Sequence, residues 1–176
     1  MDFFTVPTWT FRLLYCFFVI SHDRRKIIHF NVTAHPTAEW LCQQLREAFP
    51  DVSPFRYAIL DRDTKFSTEV LDLLRASAIE PVRTSIRSPW QNGIAERWVG
   101  TARRECFDHV IAINEALVRR LGREFVMFYH NDRTHLGLEK DTPAGRPVEL
   151  KTDGGRLESQ SRLGGLHHRY IWKAAA

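Results

Sequence analysis

The stretch from Phe11 to Ser21 constrains the fold more than any other part of the chain. Its centre, Leu13 to Ile20, is eight consecutive apolar residues. A strand apolar on both faces must be covered on both, so it belongs in the middle of a sheet with helices above and below. The run is too short to cross a bilayer, and no signal-peptide pattern precedes it. A soluble protein of the cytoplasm, associated with the nucleoid, is expected.

The neighbouring segments supply the rest of a sheet. Asp2-Phe3-Phe4-Thr5-Val6 is rich in aromatic and β-branched residues, the composition of a strand. His22-Asp23-Arg24-Arg25 reads as a turn, and Lys26 to Val32 as a third strand. A helix follows, begun by Thr33 or His35 with Pro36 in its first turn, and carrying Trp40, Leu41, Leu45 and Phe49 at helical spacing. Phe55 to Leu60 is a short strand ending at Asp61. Ser67 opens a second helix, and Ile79 to Thr84 makes a fifth strand. The loop Ser85 to Gly93 leads into helices expected over 94–109 and 114–129. The order βββαβαβαα predicts an α/β protein with a mixed five-stranded sheet flanked by helices. Residues 1–130 form the expected core. Residues 131–176, with Gly, Pro and Ser throughout and no periodicity, are expected to be an irregular extension.

The charge is unevenly placed. The whole chain carries a formal +4. The window from Arg83 to Arg104 holds Arg83, Arg87, Arg97, Arg103 and Arg104 against one acid, Glu96, and so carries the same net charge by itself. A basic face of this kind suits an anionic partner. The three cysteines, Cys16, Cys42 and Cys106, are odd in number and lack metal-ligand spacing. They indicate a reducing compartment and no disulfide framework.

Three acids stand out by position. Asp2 lies in the first strand, Asp61 closes the fourth, and Glu96 sits in the first turn of the helix after the loop. Strand ends and helix starts of one sheet can converge at an edge, where ligand sites of α/β folds form. Carboxylates brought together raise one another's pKa unless cations intervene. Hard oxygen ligands suit magnesium or manganese, and a pair of such ions can assist displacement at phosphorus. Asp23 is the rival of Asp2 but sits among His22, Arg24 and Arg25. Asp63 is the neighbour of Asp61, with a loop ion pair to Arg62 or Lys65 as its expected role.

The strings Asp2-Phe3-Phe4-Thr5-Val6, Leu60-Asp61-Arg62-Asp63-Thr64-Lys65-Phe66 and Ser88-Pro89-Trp90-Gln91-Asn92-Gly93-Ile94-Ala95-Glu96-Arg97 together resemble the catalytic core of bacterial insertion-sequence transposases, the acid-triad relatives of retroviral integrases. Asp61 and Glu96 are 35 positions apart, close to the separation usual in that family. Tyr129-His130-Asn131-Asp132-Arg133-Thr134-His135, with Thr142-Pro143, is similar to the segment that follows the core in bacterial members. Gly164-Gly165-Leu166-His167-His168-Arg169-Tyr170 is similar to a closing segment of one branch. The resemblance implies a ribonuclease H-like fold. It implies that Asp2, Asp61 and Glu96 are catalytic residues and ligands of two Mg2+ or Mn2+ ions, and that the activity is DNA strand cleavage and strand transfer without a covalent protein–DNA intermediate. It implies double-stranded DNA, both transposon ends and target, as partner, and a homo-oligomer.

The DNA-contacting residues expected on this reading are Arg83, Arg87, Trp90, Gln91, Asn92, Arg97, Arg103, Arg104, Arg133 and His135. The tryptophans other than Trp90 are expected to pack. Where relatives place a basic residue one turn after the glutamate, this chain has Gly100. The chain begins one residue before Asp2, and the resemblance leads to the expectation of an amino-terminally shortened first strand. A catalytically inactive DNA-binding remnant and a stand-alone nuclease of the same fold are the competing expectations.

Overall fold

The structure is a computed structural model and describes residues 1–51, 53–151 and 153–174. Three strands, β1 (Asp2–Pro7), β2 (Leu13–Ile20) and β3 (Ile27–Thr33), form an antiparallel meander in the order β1-β2-β3. The apolar run is the central strand, as its two-faced character requires. Phe17 and Val19 point into one apolar cluster, with Leu41 and Leu45 of α1 (Ala38–Ala48) and Val70 and Leu74 of α2 (Thr68–Ala76). Cys16, Phe18 and Ile20 point into the other, with Trp98 and Ala102 of α3 (Gly93–Glu105) and Val118 and Phe125 of α4 (Glu115–Asn131). Trp98, 1% exposed, centres that second cluster, its ring 4.2 Å from Phe18 and 5.7 Å from Phe4.

The remaining core strands, β4 (Tyr57–Leu60) and β5 (Glu80–Arg83), pair in parallel as a separate ladder. All five expected strands are present, but the ladder is interrupted between β1 and β4. A single hydrogen bond crosses the gap there, from the Met1 ammonium to the Ile59 carbonyl at 2.9 Å.

Helix boundaries follow local chemistry. The cap of α1 is Thr37, whose hydroxyl accepts from the Trp40 N–H at 3.2 Å. This corrects the expected start at Thr33 or His35, because Thr33 is still in β3 and Pro36 lies ahead of the cap. Asn114 caps α4 through the Leu117 N–H at 2.9 Å. The third helix ends at Glu105, short of His109, and a tight turn at Phe107–His109 buries Phe107.

The extension is less irregular than its composition suggests. Strands β6 (Arg156–Arg162) and β7 (His167–Lys173) form an antiparallel hairpin. Charge holds it to the core more than apolar burial does. Asp132, at the end of α4, accepts from Arg162 at 2.7 Å and Arg169 at 3.2 Å, and His167 stacks on Phe128 with centroids 4.3 Å apart. A hairpin with most side chains at least partly in solvent leaves little hydrophobic periodicity to read. Arg24 fastens the segment before it, donating to Asp141 and to the Thr142 and Pro143 carbonyls.

Candidate active site

Strand alternation sets the first acid. Phe4 and Val6 lie on the α3 side of the sheet, so Asp2, of the same parity, faces α3 as well. Its Oδ1 accepts from the Phe3 N–H at 2.7 Å, and its Oδ2 accepts from the Asn92 side-chain amide at 3.1 Å. Burial raises the Asp2 pKa to about 6, the Phe3 N–H opposes that rise, and the like charges of Asp61 and Glu96 add to it. Asp2 thus lies within electrostatic reach of both other candidates. The buried Met1 α-ammonium occupies the same neighbourhood. Burial pushes its pKa down to about 6, against the pull of Asp2 and Asp61.

Asp61 is the first residue beyond β4, and its Oδ1 accepts from the Asp63 N–H at 3.0 Å. Asp63 is turned away into the expected loop ion pair, with Lys65 Nζ at 2.7 Å. Arg62 instead donates to the Thr84 carbonyl at 3.0 Å. Glu96 lies exposed in the first turn of α3. Among the described residues no three His, Cys, Asp or Glu side chains are already arranged to hold one metal ion. The donor set itself suits a hard divalent cation. Three carboxylates from distant parts of the chain share one region, and a cation would relieve both the repulsion and the burial cost at Asp2.

The basic window divides into two groups. Arg83, Arg87, Arg97 and Arg104 are exposed, as are Trp90 at 74% and Gln91. Arg83 also donates to the Phe66 carbonyl. Gln91 closes its own loop by accepting from the Ser85 N–H at 2.7 Å.

Four residues expected on DNA have other work. Asn92 is 2% exposed and serves as the strut to Asp2. Arg103 donates to the Thr5 carbonyl at 3.0 Å and lies over the Phe4 ring at 5.7 Å, which fixes α3 to β1. Arg133 grips Glu105 with two hydrogen bonds of 2.7 Å. His135 is 6% exposed and meets the Tyr129 ring edge-on at 4.7 Å. Burial, with Arg133 and Arg25 nearby, holds its pKa down to about 4, so it is neutral at physiological pH. These partners lie as far as 90 positions away in sequence, beyond the reach of local pattern. Of the tryptophans, Trp98 packs as expected, whereas Trp9 is 64% exposed.

Comparison with known structures defines the class. A chain of the cryoEM structure of the simian T-cell lymphotropic virus intasome, in complex with the PP2A regulatory subunit B56 gamma, superposes with a TM-score of 0.65 at 14% identity, covering 98% of this chain and 65% of that one. The crystal structure of the catalytic core domain of BIV integrase superposes with a TM-score of 0.51 at 13% identity, covering 81% of this chain and 89% of that one. The fold is therefore the ribonuclease H-like fold of integrase catalytic cores. Residues 77–143 match the family described as Integrase core domain, the segment that contains Glu96, α3 and α4. No curated protein matches. The chain spans 65% of the length of the intasome chain it matches. Together these likenesses support a function of the transposase or integrase type. No helix among the described residues is long and apolar enough to cross a membrane.

Proposed function

We propose that this chain is the catalytic core of a DNA transposase, cutting and joining strands with two divalent cations, Mg2+ or Mn2+, held by Asp2, Asp61 and Glu96. The observation that carries this reading is the electrostatic coupling of Asp2 to both Asp61 and Glu96, across elements far apart in sequence. When bound, such ions activate the attacking oxygen and stabilise the leaving one. The chain's own residues do the positioning. Asn92 orients Asp2, the Asp63 N–H orients Asp61, and the start of α3 presents Glu96. Arg83, Arg87, Arg97 and Arg104, with Trp90 and Gln91 in the loop, form the face on which double-stranded DNA would lie. Phosphate contacts of this kind fix the duplex without reading its sequence. A homo-oligomer acting on the nucleoid completes the proposal.

A second reading is an inactive DNA-binding remnant. The Met1 ammonium beside Asp2 and Asp61 favours it, since that group sits where cations would be drawn. Cleavage of a labelled duplex in Mg2+, followed by joining of the cut end to target DNA, tests both. Asp61→Asn or Glu96→Gln should abolish cleavage while duplex binding persists. Retained cleavage by either variant would sink the site assignment, and no cleavage by the parent chain would leave the remnant reading. Cleavage without joining would indicate a nuclease.

A further inference from the structure

The interruption between β1 and β4 is a slot, and its walls have a definite chemistry. On one side, β2 pairs with β1 only as far as Phe18, opposite Asp2, while Val19 and Ile20 pair with β3 alone. On the other side, β4 pairs with β5. Among the described residues its one backbone bond toward β1 is the Met1 ammonium to Ile59. Because β1 lies between β2 and β4 at this point, the line it would continue along is one strand wide, with unpaired backbone groups on both flanks. Such edges are templates for another strand.

Two cavities open on the two faces of this line, and both include His22 and Ile59 in their walls. The one on the α3 side has a volume of about 850 Å3 and is lined by Arg25, Arg97 and Arg104. Among the described residues none of these arginines has a carboxylate within ion-pair distance. Trp98 Nε1 and His135 Nε2, on residues of the same wall, are buried without hydrogen-bond partners. The cavity on the α1 and α2 side has a volume of about 400 Å3 and is lined by Val19, Ile28, Phe49, Phe55 and Ile79. Successive side chains of a strand point to opposite faces. Met1 already packs toward the α1 and α2 side, and Phe4 and Val6 toward α3.

We infer that this slot is a docking site for an extended peptide strand, antiparallel to β2, with apolar side chains at alternate positions and acidic or hydrogen-bonding side chains between them. The apolar positions enter the smaller cavity and the acidic ones meet Arg25, Arg97 and Arg104. Backbone bonds to the exposed edges supply affinity, and the two unlike cavities supply register. The inference rests on the fold and not on the proposed DNA chemistry, and its test contains no DNA.

The test is fluorescence anisotropy of labelled octapeptides added to the chain. One peptide alternates Ile with Asp and Thr. A second has the same composition with the alternation scrambled. A third is the alternating sequence N-methylated along its backbone. The alternating peptide should bind and slow amide exchange at residues 19–21 and 57–59, and each control should bind at least about tenfold more weakly. Arg97→Glu, at an exposed position, should weaken the Asp peptide and favour its Lys counterpart. Equal binding of all three peptides, or no binding of the alternating one at millimolar concentration, would overturn the inference. Self-association that protects the same amides without peptide would give the slot to a second copy of the chain and also overturn it.

Discussion

The side-chain amide of Asn92 donates to Asp2 Oδ2 across 3.1 Å, joining the residue before α3 to the first strand. The bond links the two ends of the candidate site, because Glu96 follows Asn92 within one turn of helix. Replacing Asn92 with Asp should turn a donor into a like charge against an already destabilised carboxylate. An uncompensated buried polar change of this kind costs about 1–3 kcal/mol. Asn92→Asp should therefore melt several degrees below the parent, with part of the loss recovered in millimolar Mg2+. An unchanged melting temperature in the absence of metal would mean that the strut carries no energy.

Arg103 is the residue for which the structure changes the expectation most. Its guanidinium is engaged with the Thr5 carbonyl and the Phe4 ring. Arg103→Ala should lose ~1–2 kcal/mol of stability from the hydrogen bond and ring contact. The salt test belongs instead to Arg97 and Arg104, which are exposed. Removing either should weaken all duplexes alike and reduce the log–log salt slope by roughly one per phosphate neutralised. A salt titration on matched and scrambled duplexes checks both statements. A slope that changes for Arg103→Ala and not for Arg97→Ala would reverse the assignment.

The acid limb of the stability curve should report on two histidines. Burial holds His135 down to about 4 from its ordinary 6.5. Burial also lowers the pKa of His130, whose Nε2 accepts the Ile27 N–H at 2.8 Å and so must be unprotonated in the fold. Between pH 6.5 and 4 the unfolded chain binds a proton at His135 that the folded chain does not. Stability is thus complete above that window and falls as the pH drops through it. A tenfold difference in proton affinity between the folded and unfolded chain is worth about 1.4 kcal/mol. Solvent screening of the neighbouring arginine charges reduces the total, so His135 alone contributes ~1–2 kcal/mol. His135→Asn should flatten the denaturation midpoint against pH between 6.5 and 4, whatever it does at pH 7. A parallel curve for parent and variant would show that His135 does not titrate in this range.

Much of this architecture is visible in the sequence because local periodicity and burial agree. The Leu13–Ile20 run is the central strand, and the acids at strand and helix boundaries fall near one another. What stayed hidden depends on partners remote in the chain. Arg133 reads as a basic residue in a polar string until Glu105, 28 positions earlier, is found holding it. His135 looks solvated beside Arg133 and Thr134, yet Tyr129 buries it. The break between β1 and β4 is a matter of which strands are neighbours, which composition does not carry.

The last prediction concerns how α4 is seated on the sheet. Gly122 lies on the face of α4 that meets β3, and a Cβ built there would stand 2.0 Å from Phe30 Cε1 and 2.3 Å from its Cζ. Phe30 is itself 8% exposed, within the cluster that includes Phe18, Trp98 and Phe125, so its ring has no open space into which to turn. Glycine in a helix interior ordinarily costs about 1 kcal/mol relative to alanine. At an exposed site Gly→Ala would therefore stabilise the protein. Here the steric term should win, because overpacking a filled core costs about 1–3 kcal/mol and sometimes more. Gly122→Ala should lower the denaturation midpoint, and the loss should shrink when Phe30→Leu is added, since the smaller side chain removes the ring that the methyl strikes. That double variant separates a clash from a general effect on helix α4. Additive losses in the two variants would mean that the helix approaches β3 less closely than described, and a midpoint raised by Gly122→Ala alone would show that intrinsic helix propensity governs this position.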